Sequence, residues 1–555
     1  MTKTIYTVMT FAPVQGFIEK SRKLRDLYGS SFLLSYLSWV ICATAESQGY
    51  EVVSPARIDV TQGTPNQVII EGDFQKKDAQ AALNIAWECV TESCREWIEQ
   101  QIPGEYQSWR RVWGLWTKYS WEFFWVQGNP GESISDVRQR LNDEKYWRGW
   151  TGINWQGESS TLSGADAIAY PGLGKICDPR AYNYQQEKTE IRSFYEQLQK
   201  QLGEAFIDSR EELNVPELIK RMITHKVIAE RLIQRLELSL KDKGVKTEKL
   251  INQIRNLPEE LNPKSFKDLS RQNDNNGSDN QTTQKKYWTG WFQGDGDKAG
   301  DYLKKYPEKT HEFSRKMREW GKNFQQNSPL FCRVIYAGGD DFLGVFHDAK
   351  EGRELKPSYC IHQFSKFKTE IWDKPEKKPI SASVGFIWAA PGVPQRDVLQ
   401  HCRLAEKSAK SNGRDRIAFR VLFNNGNHLE WVCPWWLLEQ DFLTSYRDRE
   451  NGKNWTHIYN DVAVLESRHA FSDKSRDIAF GLLEIYFRNQ AEVIKQEKNW
   501  WNRDDKEERL VGGILGDRHN YYKNNTQETD NTKINKSLNN WIINLAKVGF
   551  HLCHQ

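Results

Sequence analysis

The 555-residue chain has little of what a membrane protein, a disulfide-stapled secreted domain or a polybasic nucleic-acid binder needs. Lys and Arg number 78 against 74 Asp and Glu, a formal net charge of only +4, and mean hydropathy is −0.75. So close a balance excludes a long basic or acidic tail as the source of function and leaves any nucleic-acid contact to local patches or partner proteins. No apolar run approaches the ~20 residues that span a bilayer, and Met1-Thr2-Lys3-Thr4-Ile5-Tyr6 has no signal-peptide core, so a soluble cytoplasmic protein without membrane contact is expected. The nine cysteines include no Cys-x-x-Cys pair, which argues against a disulfide framework. Cys89 and Cys94, and Cys553 between His551 and His554, lack a second ligand pair at zinc spacing, so no zinc is expected. Tryptophan is what the chain has in excess: 23 residues, read as core and interface anchors.

At roughly 100–200 residues per domain the length predicts about three or four domains. The run 270–284 is polar throughout and reads as a linker. Before it, Ile191, Phe194, Tyr195, Leu198 and Leu202 recur at helical spacing and continue through Leu218, Met222, Leu232 and Leu236, which predicts a helical insert over 151–284 together with the linker. Residues 1–150 mix strands at 4–11, 67–71 and 121–127 with helices after Pro13 and over 78–101. Residues 285–425 repeat the alternation, with strands at 287–294, 331–337, 342–347, 379–389 and 416–423 and helices near 298–323, 358–373 and 395–411. Strand, helix, hairpin, helix, strand is the order of a ferredoxin-like palm. The predicted fold class is α+β: two ferredoxin-like palms, a helical insert between them and a helical C-terminal part over 426–555.

Chemistry concentrates in the second palm. Gly338-Gly339-Asp340-Asp341 lies between two apolar strands, where two glycines can supply positive φ and let a ligand phosphate approach the backbone. Adjacent carboxylates at such a tip repel each other unless a cation sits between them. Asp295-Gly296-Asp297 ends the preceding strand, which a ferredoxin-like sheet places beside the strand leaving the hairpin, so Asp295, Asp340 and Asp341 converge. Hard oxygen ligands with room for phosphate suit Mg²⁺ or Mn²⁺, and two such ions can activate a 3′-hydroxyl and stabilise departing pyrophosphate. Ser381 and Ser383, in Ser381-Ala382-Ser383-Val384-Gly385, leave space for a base or ribose, or reflect packing alone. Lys410 reaches triphosphate oxygens or is a solvated helix-end lysine.

Three segments resemble the large polymerase-cyclase subunit of type III CRISPR effector complexes, most of all its Cmr (III-B) version. They are Gly338–Asp341, Asp295–Asp297 and the N-terminal Ala12-Pro13-Val14-Gln15-Gly16-Phe17-Ile18 with Arg22–Leu34 after it. Thr64-Pro65-Asn66-Gln67 resembles that family's Pro-Asn hairpin. The resemblance implies two cyclase-like palms that face each other and bind ATP between them, and synthesis of cyclic oligoadenylate when the complex captures target RNA through its CRISPR RNA. It implies Asp340, Asp341 and Asp295 as catalytic metal ligands and the other complex subunits as partners, and it fits the nucleotide-binding role expected from their chemistry for Gly338, Gly339, Gly296, Ser381, Ser383 and Lys410. The first palm is expected to be degenerate, since Phe11–Pro13 and Thr64–Gln67 carry no carboxylate.

Two departures qualify the resemblance. The first palm starts at residue 4, leaving no room for the HD phosphohydrolase many members carry, and His347-Asp348 reads as a strand-end turn, so DNA cleavage is not expected. Cys177 stands alone where many members have a zinc module, so Ser160–Asp166 must be held by packing. A non-catalytic scaffold subunit and a stand-alone diguanylate cyclase-type enzyme stay open as alternatives. Arg22, Lys23 and Arg25 either touch RNA or form a solvated helix face.

Overall fold

Alternation builds the first sheet: along Tyr6–Ala12 (β1), Val8 packs into one hydrophobic cluster while Met9 and Phe11 enter another, so the strand is covered on both faces. Around it lie Glu51–Ser54 (β2), Val68–Glu71 (β3) and Glu122–Gln127 (β4), in the antiparallel order β2-β3-β1-β4 of a ferredoxin-like sheet. The computed structural model describes residues 4–260 and 287–553, apart from 22, 57–58, 62, 148, 150–151, 154, 156, 177, 182, 204–205, 242, 330, 348–354 and 524–526. The polar run 270–284, Arg22, Cys177, Asp348 and His554 therefore lie outside the described residues. The chain divides into two units, the first holding 1–269, 303–322 and 335–339, the second 270–302, 323–334 and 340–555.

In the first unit the helices Leu24–Ser47 and Lys76–Gln101 form the large core, and Ile134–Glu144 covers the smaller cluster with Ile134, Val137 and Leu141. Leu24–Ser47 corrects an expectation: it is long and apolar enough to cross a bilayer, with 94% of its most apolar window buried inside the fold. Charge at its start shows how that burial is achieved. Asp26 accepts from Arg221 Nε at 2.8 Å and Nη2 at 2.9 Å, and Lys23 Nζ lies 3.0 Å from Glu211. Arg25 is 1% exposed, donates to Thr224 Oγ1 at 3.1 Å and stacks 3.8 Å over Phe206. The N-terminal motif thus packs onto the helical insert, and Arg25 is neither an RNA contact nor a solvated residue. Gly29 is required there, because a Cβ would lie 2.1 Å from the Lys220 carbonyl oxygen. The insert is helical as expected, over Tyr184–Leu202, Val215–Met222, Lys226–Lys241 and Glu248–Glu260, and its apolar faces extend the same core. Ser160–Asp166 is held by polar contacts as well as packing: Ser160 donates to buried Glu217, and Asn214 Nδ2 donates to Ala165 O at 3.1 Å.

The second sheet comprises Thr289–Gly296 (β5), Cys332–Ala337 (β6), Phe342–Phe346 (β7), Ala382–Ala389 (β8), Arg416–Leu422 (β9) and His428–Pro434 (β10), ordered β10-β9-β8-β5-β7-β6. Its β8-β5-β7-β6 portion repeats the ferredoxin-like order, β9 runs parallel to β8, and β10 pairs with β9 inside the segment read as helical. Phe292, Phe342, Phe346, Phe364, Phe367 and Phe386 fill the core on one face. Tryptophans anchor the helical end to the sheet: the ring of Trp541, on the helix Asn531–Cys553, packs tilted 5.5 Å from that of Trp431, and its Nε1 donates to Val432 O at 2.8 Å.

Candidate active site

β5 lies between β7 and β8, with Gly294 opposite Phe342 and Asp295 opposite Ser383, so the hairpin aspartates begin one residue from the end of the central strand. The Gly296 N–H donates to Asp340 O at 3.0 Å, and a Cβ on Gly296 would meet Asp340 Cβ at 2.8 Å. Asp340 therefore rests directly on the residue after Asp295. Asp340 is half-buried and Asp341 exposed. The Asp295 side chain, 31% exposed, pairs with Lys410 Nζ, which also lies 2.7 Å from Glu406 Oε1.

The electrostatics fit a cation site. Crowding by protein raises the Asp295 carboxyl well above its usual range, and Asp340 and then Asp341 push it further while Lys410 pulls it back. Burial works against the Lys410 charge, yet Asp295 and Glu406 outweigh it and raise the ammonium above its ordinary value. Among the described residues no three His, Cys, Asp or Glu side chains lie close enough to share a metal ion. Instead the Lys410 ammonium supplies the positive charge beside Asp295. The donor set, carboxylate oxygens with an excess of negative charge, suits a hard divalent ion.

Several expected nucleotide contacts have other tasks. Ser381 and Ser383, 1% and 0% exposed, donate to Asp297 Oδ2 at 2.8 Å and Oδ1 at 2.6 Å. Asp297 also accepts from the Asp415 N–H at 2.9 Å, while Asp415 pairs with Lys368 at 2.7 Å. Asp297 is thus a buried hub fixing the end of β5 to β8 and to the turn before β9. Sequence reasoning passed over it, since nothing in Asp295-Gly296-Asp297 tells which aspartate turns inward. Gly385 serves packing: a Cβ there would lie 2.3 Å from Glu406 N, so the helix Gln395–Ser411 sits on the strand backbone.

The glycine pair departs from expectation too. Neither Gly338 nor Gly339 has positive φ. Within the first unit, a Cβ on Gly338 would lie 3.2 Å from Gly63 C and one on Gly339 3.4 Å from Pro65 Cγ, so it is a protein loop that approaches this backbone. In that loop region Asn66 Nδ2 donates to Thr10 Oγ1 at 2.8 Å and Phe11 O at 3.2 Å, tying down the end of β1 where a carboxylate would otherwise be needed for a metal. His347 is 7% exposed, and its N–H donates to Phe331 O at 2.9 Å, the geometry of a strand end.

Residues 6–92 match the family model "CRISPR-associated protein Cmr2, N-terminal", and 288–418 match "Cas10/Cmr2, second palm domain". No curated protein matches the chain in sequence. Solved structures that resemble it include a type III-B Cmr-beta complex in its apo state, at 12% identity and TM-score 0.47, covering 98% of this chain and 81% of that one. An apo Csm1-Csm4 cassette, at 12% identity and TM-score 0.46, covers 99% and 70%. A Csm1-Csm4 cassette in complex with cA4, at 13% identity and TM-score 0.39, covers 80% of this chain and 58% of that one. One family match falls on each ferredoxin-like sheet, in chain order, so residues 6–92 carry a Cmr2 N-terminal domain and residues 288–418 a Cas10/Cmr2 second palm domain.

Proposed function

We propose that this chain is the large subunit of a type III-B CRISPR effector complex and that, once the complex holds CRISPR RNA and a matching target RNA, it joins ATP into cyclic oligoadenylate by 3′–5′ nucleotidyl transfer in the cytoplasm. The observation that carries this reading is the negative charge of Asp340 and Asp341 acting on Asp295 at the end of the central strand in the family-matched palm. Mutually repelling carboxylates lower the stability of an unliganded fold, and a site that binds a cation and phosphates gives them a use. Asp295, Asp340 and Asp341 would hold Mg²⁺ or Mn²⁺, which when bound supplies charge neutralisation at the phosphates and a lowered pKa at the attacking hydroxyl.

The chain's own residues then divide the work. Asp297, with Ser381, Ser383 and Asp415, keeps the end of β5 rigid so that Asp295 stays in place. Lys410, which pairs with Asp295 in the unliganded chain, would reach the triphosphate. The test is incubation of the assembled complex with CRISPR RNA, ATP and Mg²⁺ or Mn²⁺, with and without matching target RNA. Cyclic oligoadenylate that depends on target RNA supports the reading; its absence from the wild-type complex favours a scaffold subunit.

A further inference from the structure

A buried arginine outside the carboxylate cluster ties down the backbone that leads into it. Arg318, on the helix Thr310–Gln326, is 3% exposed. All the contacts described below lie inside the first unit. Its Nη1 donates to Gly63 O and, at 3.3 Å, to Gly338 O, while Nη2 donates to Asp59 O at 3.3 Å. One guanidinium therefore joins three backbone carbonyls, two from the loop before Thr64 and one from the residue two positions before Asp340.

The surroundings make that link rigid. One turn earlier on the same helix, Ser314 Oγ accepts from the Ala56 N–H at 2.9 Å. One turn later, Gly321 lets the helix touch the strand end, since a Cβ there would lie 2.3 Å from Ala337 O. Tyr336 packs on Gly63, where a Cβ would lie 2.8 Å from Tyr336 Cβ. Burial lowers the Arg318 pKa to about 10, with Asp59 opposing, so the guanidinium keeps its charge at neutral pH and its desolvation is offset by the carbonyls it meets.

We propose that Arg318 is a positioning residue: through the Gly338 carbonyl it holds the end of the Cys332–Ala337 strand in place on the Asp59–Gly63 loop, at the point from which the chain runs on into Asp340 and Asp341. Lys cannot replace it, because a compact ammonium on a flexible stem does not span three fixed carbonyls as a planar five-donor group does. The catalytic consequence rests on the nucleotidyl-transfer reading; the tether itself does not.

The experiment compares wild type with Arg318→Lys, Arg318→Gln and the control Ser314→Ala, which loosens the same loop without touching Gly338. Hydrogen exchange of peptides spanning 335–342 is read in the full chain, and kcat and KM for ATP in the assembled complex. Both Arg318 variants are expected to exchange about tenfold faster there and to lose about tenfold or more in kcat with KM changed less than about threefold, while Ser314→Ala stays within about twofold in kcat. Unchanged exchange, a rise in KM with kcat intact, or an equal loss in Ser314→Ala overturns the proposal. Loss of a cooperative melting transition in both Arg318 variants does the same, by assigning the residue to folding alone. If the wild-type complex makes no product, the functional reading fails while the exchange measurement still decides the tether.

Discussion

Lys410 and Lys220 are two lysines whose surroundings set opposite outcomes. Lys410 supplies the cation that Asp295 needs in the unliganded chain. Lys410→Met is expected to cost about 1 kcal/mol in urea unfolding without divalent ions, a modest figure because both side chains are about a third exposed. Millimolar Mg²⁺ or Mn²⁺ should shrink that deficit by mass action, and a deficit indifferent to the ions contradicts the proposed cation site. Lys220 is buried, near Phe17 and donating to Lys20 O at 2.9 Å, and burial lowers its pKa to about 8 while Glu217 and Asp26 oppose the shift. Between pH 8 and the ordinary 10.5 the unfolded chain binds a proton that the folded chain has released, so the Lys220 contribution grows as pH rises and is lost as pH falls through 8. The unfolding free energy of wild type relative to Lys220→Met should therefore rise over that range, by up to about 3 kcal/mol. A difference flat with pH contradicts the assignment. None of these partners was legible beforehand: Arg25 looks in sequence like any residue of a basic helix face, and only the insert about 200 residues later, with Thr224 and Phe206, explains its burial.

Elements with strong periodicity were read closely from the sequence. The helix expected over 395–411 is Gln395–Ser411, and β1, β3, β4, β6 and β7 lie within a residue or two of their expected spans. Short or contextual elements were missed. β2 pairs with β3 through a register that shifts between Val52 and Ser54, and β10 lies in a segment that reads as helical because its pairing partner, not its own sequence, makes it a strand. The region expected as one helix over 298–323 is broken into Ala299–Lys305 and Thr310–Gln326 around Pro307. Gly385 shows how an element can be specified by close approach: packing of Gln395–Ser411 onto β8 leaves no room for a methyl group. Gly385→Ala is expected to destabilise the second unit by about 2–3 kcal/mol in chemical denaturation, because the helix must move off the sheet. Unchanged stability contradicts that packing account.

At the scale of the whole molecule, two sheets of the same ferredoxin-like order carry very different chemistry at corresponding strand ends. The β1 end is tied by Asn66, and Phe11–Pro13 and Thr64–Gln67 carry no carboxylate, whereas the β5 end gathers Asp295 and Asp297 beside Asp340 and Asp341. That contrast was legible in the sequence, since carboxylates and glycines in a hairpin mark themselves. The division of labour inside the site was not: Asp297 and Arg318 act through hydrogen bonds to residues 84 and 255 positions away, separations that no local pattern encodes. The central claim, that the three aspartates perform metal-dependent nucleotidyl transfer, is tested most directly by product analysis of the complex assembled with CRISPR RNA and target RNA. Wild type, Asp295→Asn and the double variant Asp340→Asn with Asp341→Asn are compared with ATP and Mg²⁺ or Mn²⁺. The account predicts cyclic oligoadenylate from wild type, its loss on chelation by EDTA and a fall of about a thousandfold or more in both variants while complex assembly persists. Undiminished cyclic product from the double variant would contradict it.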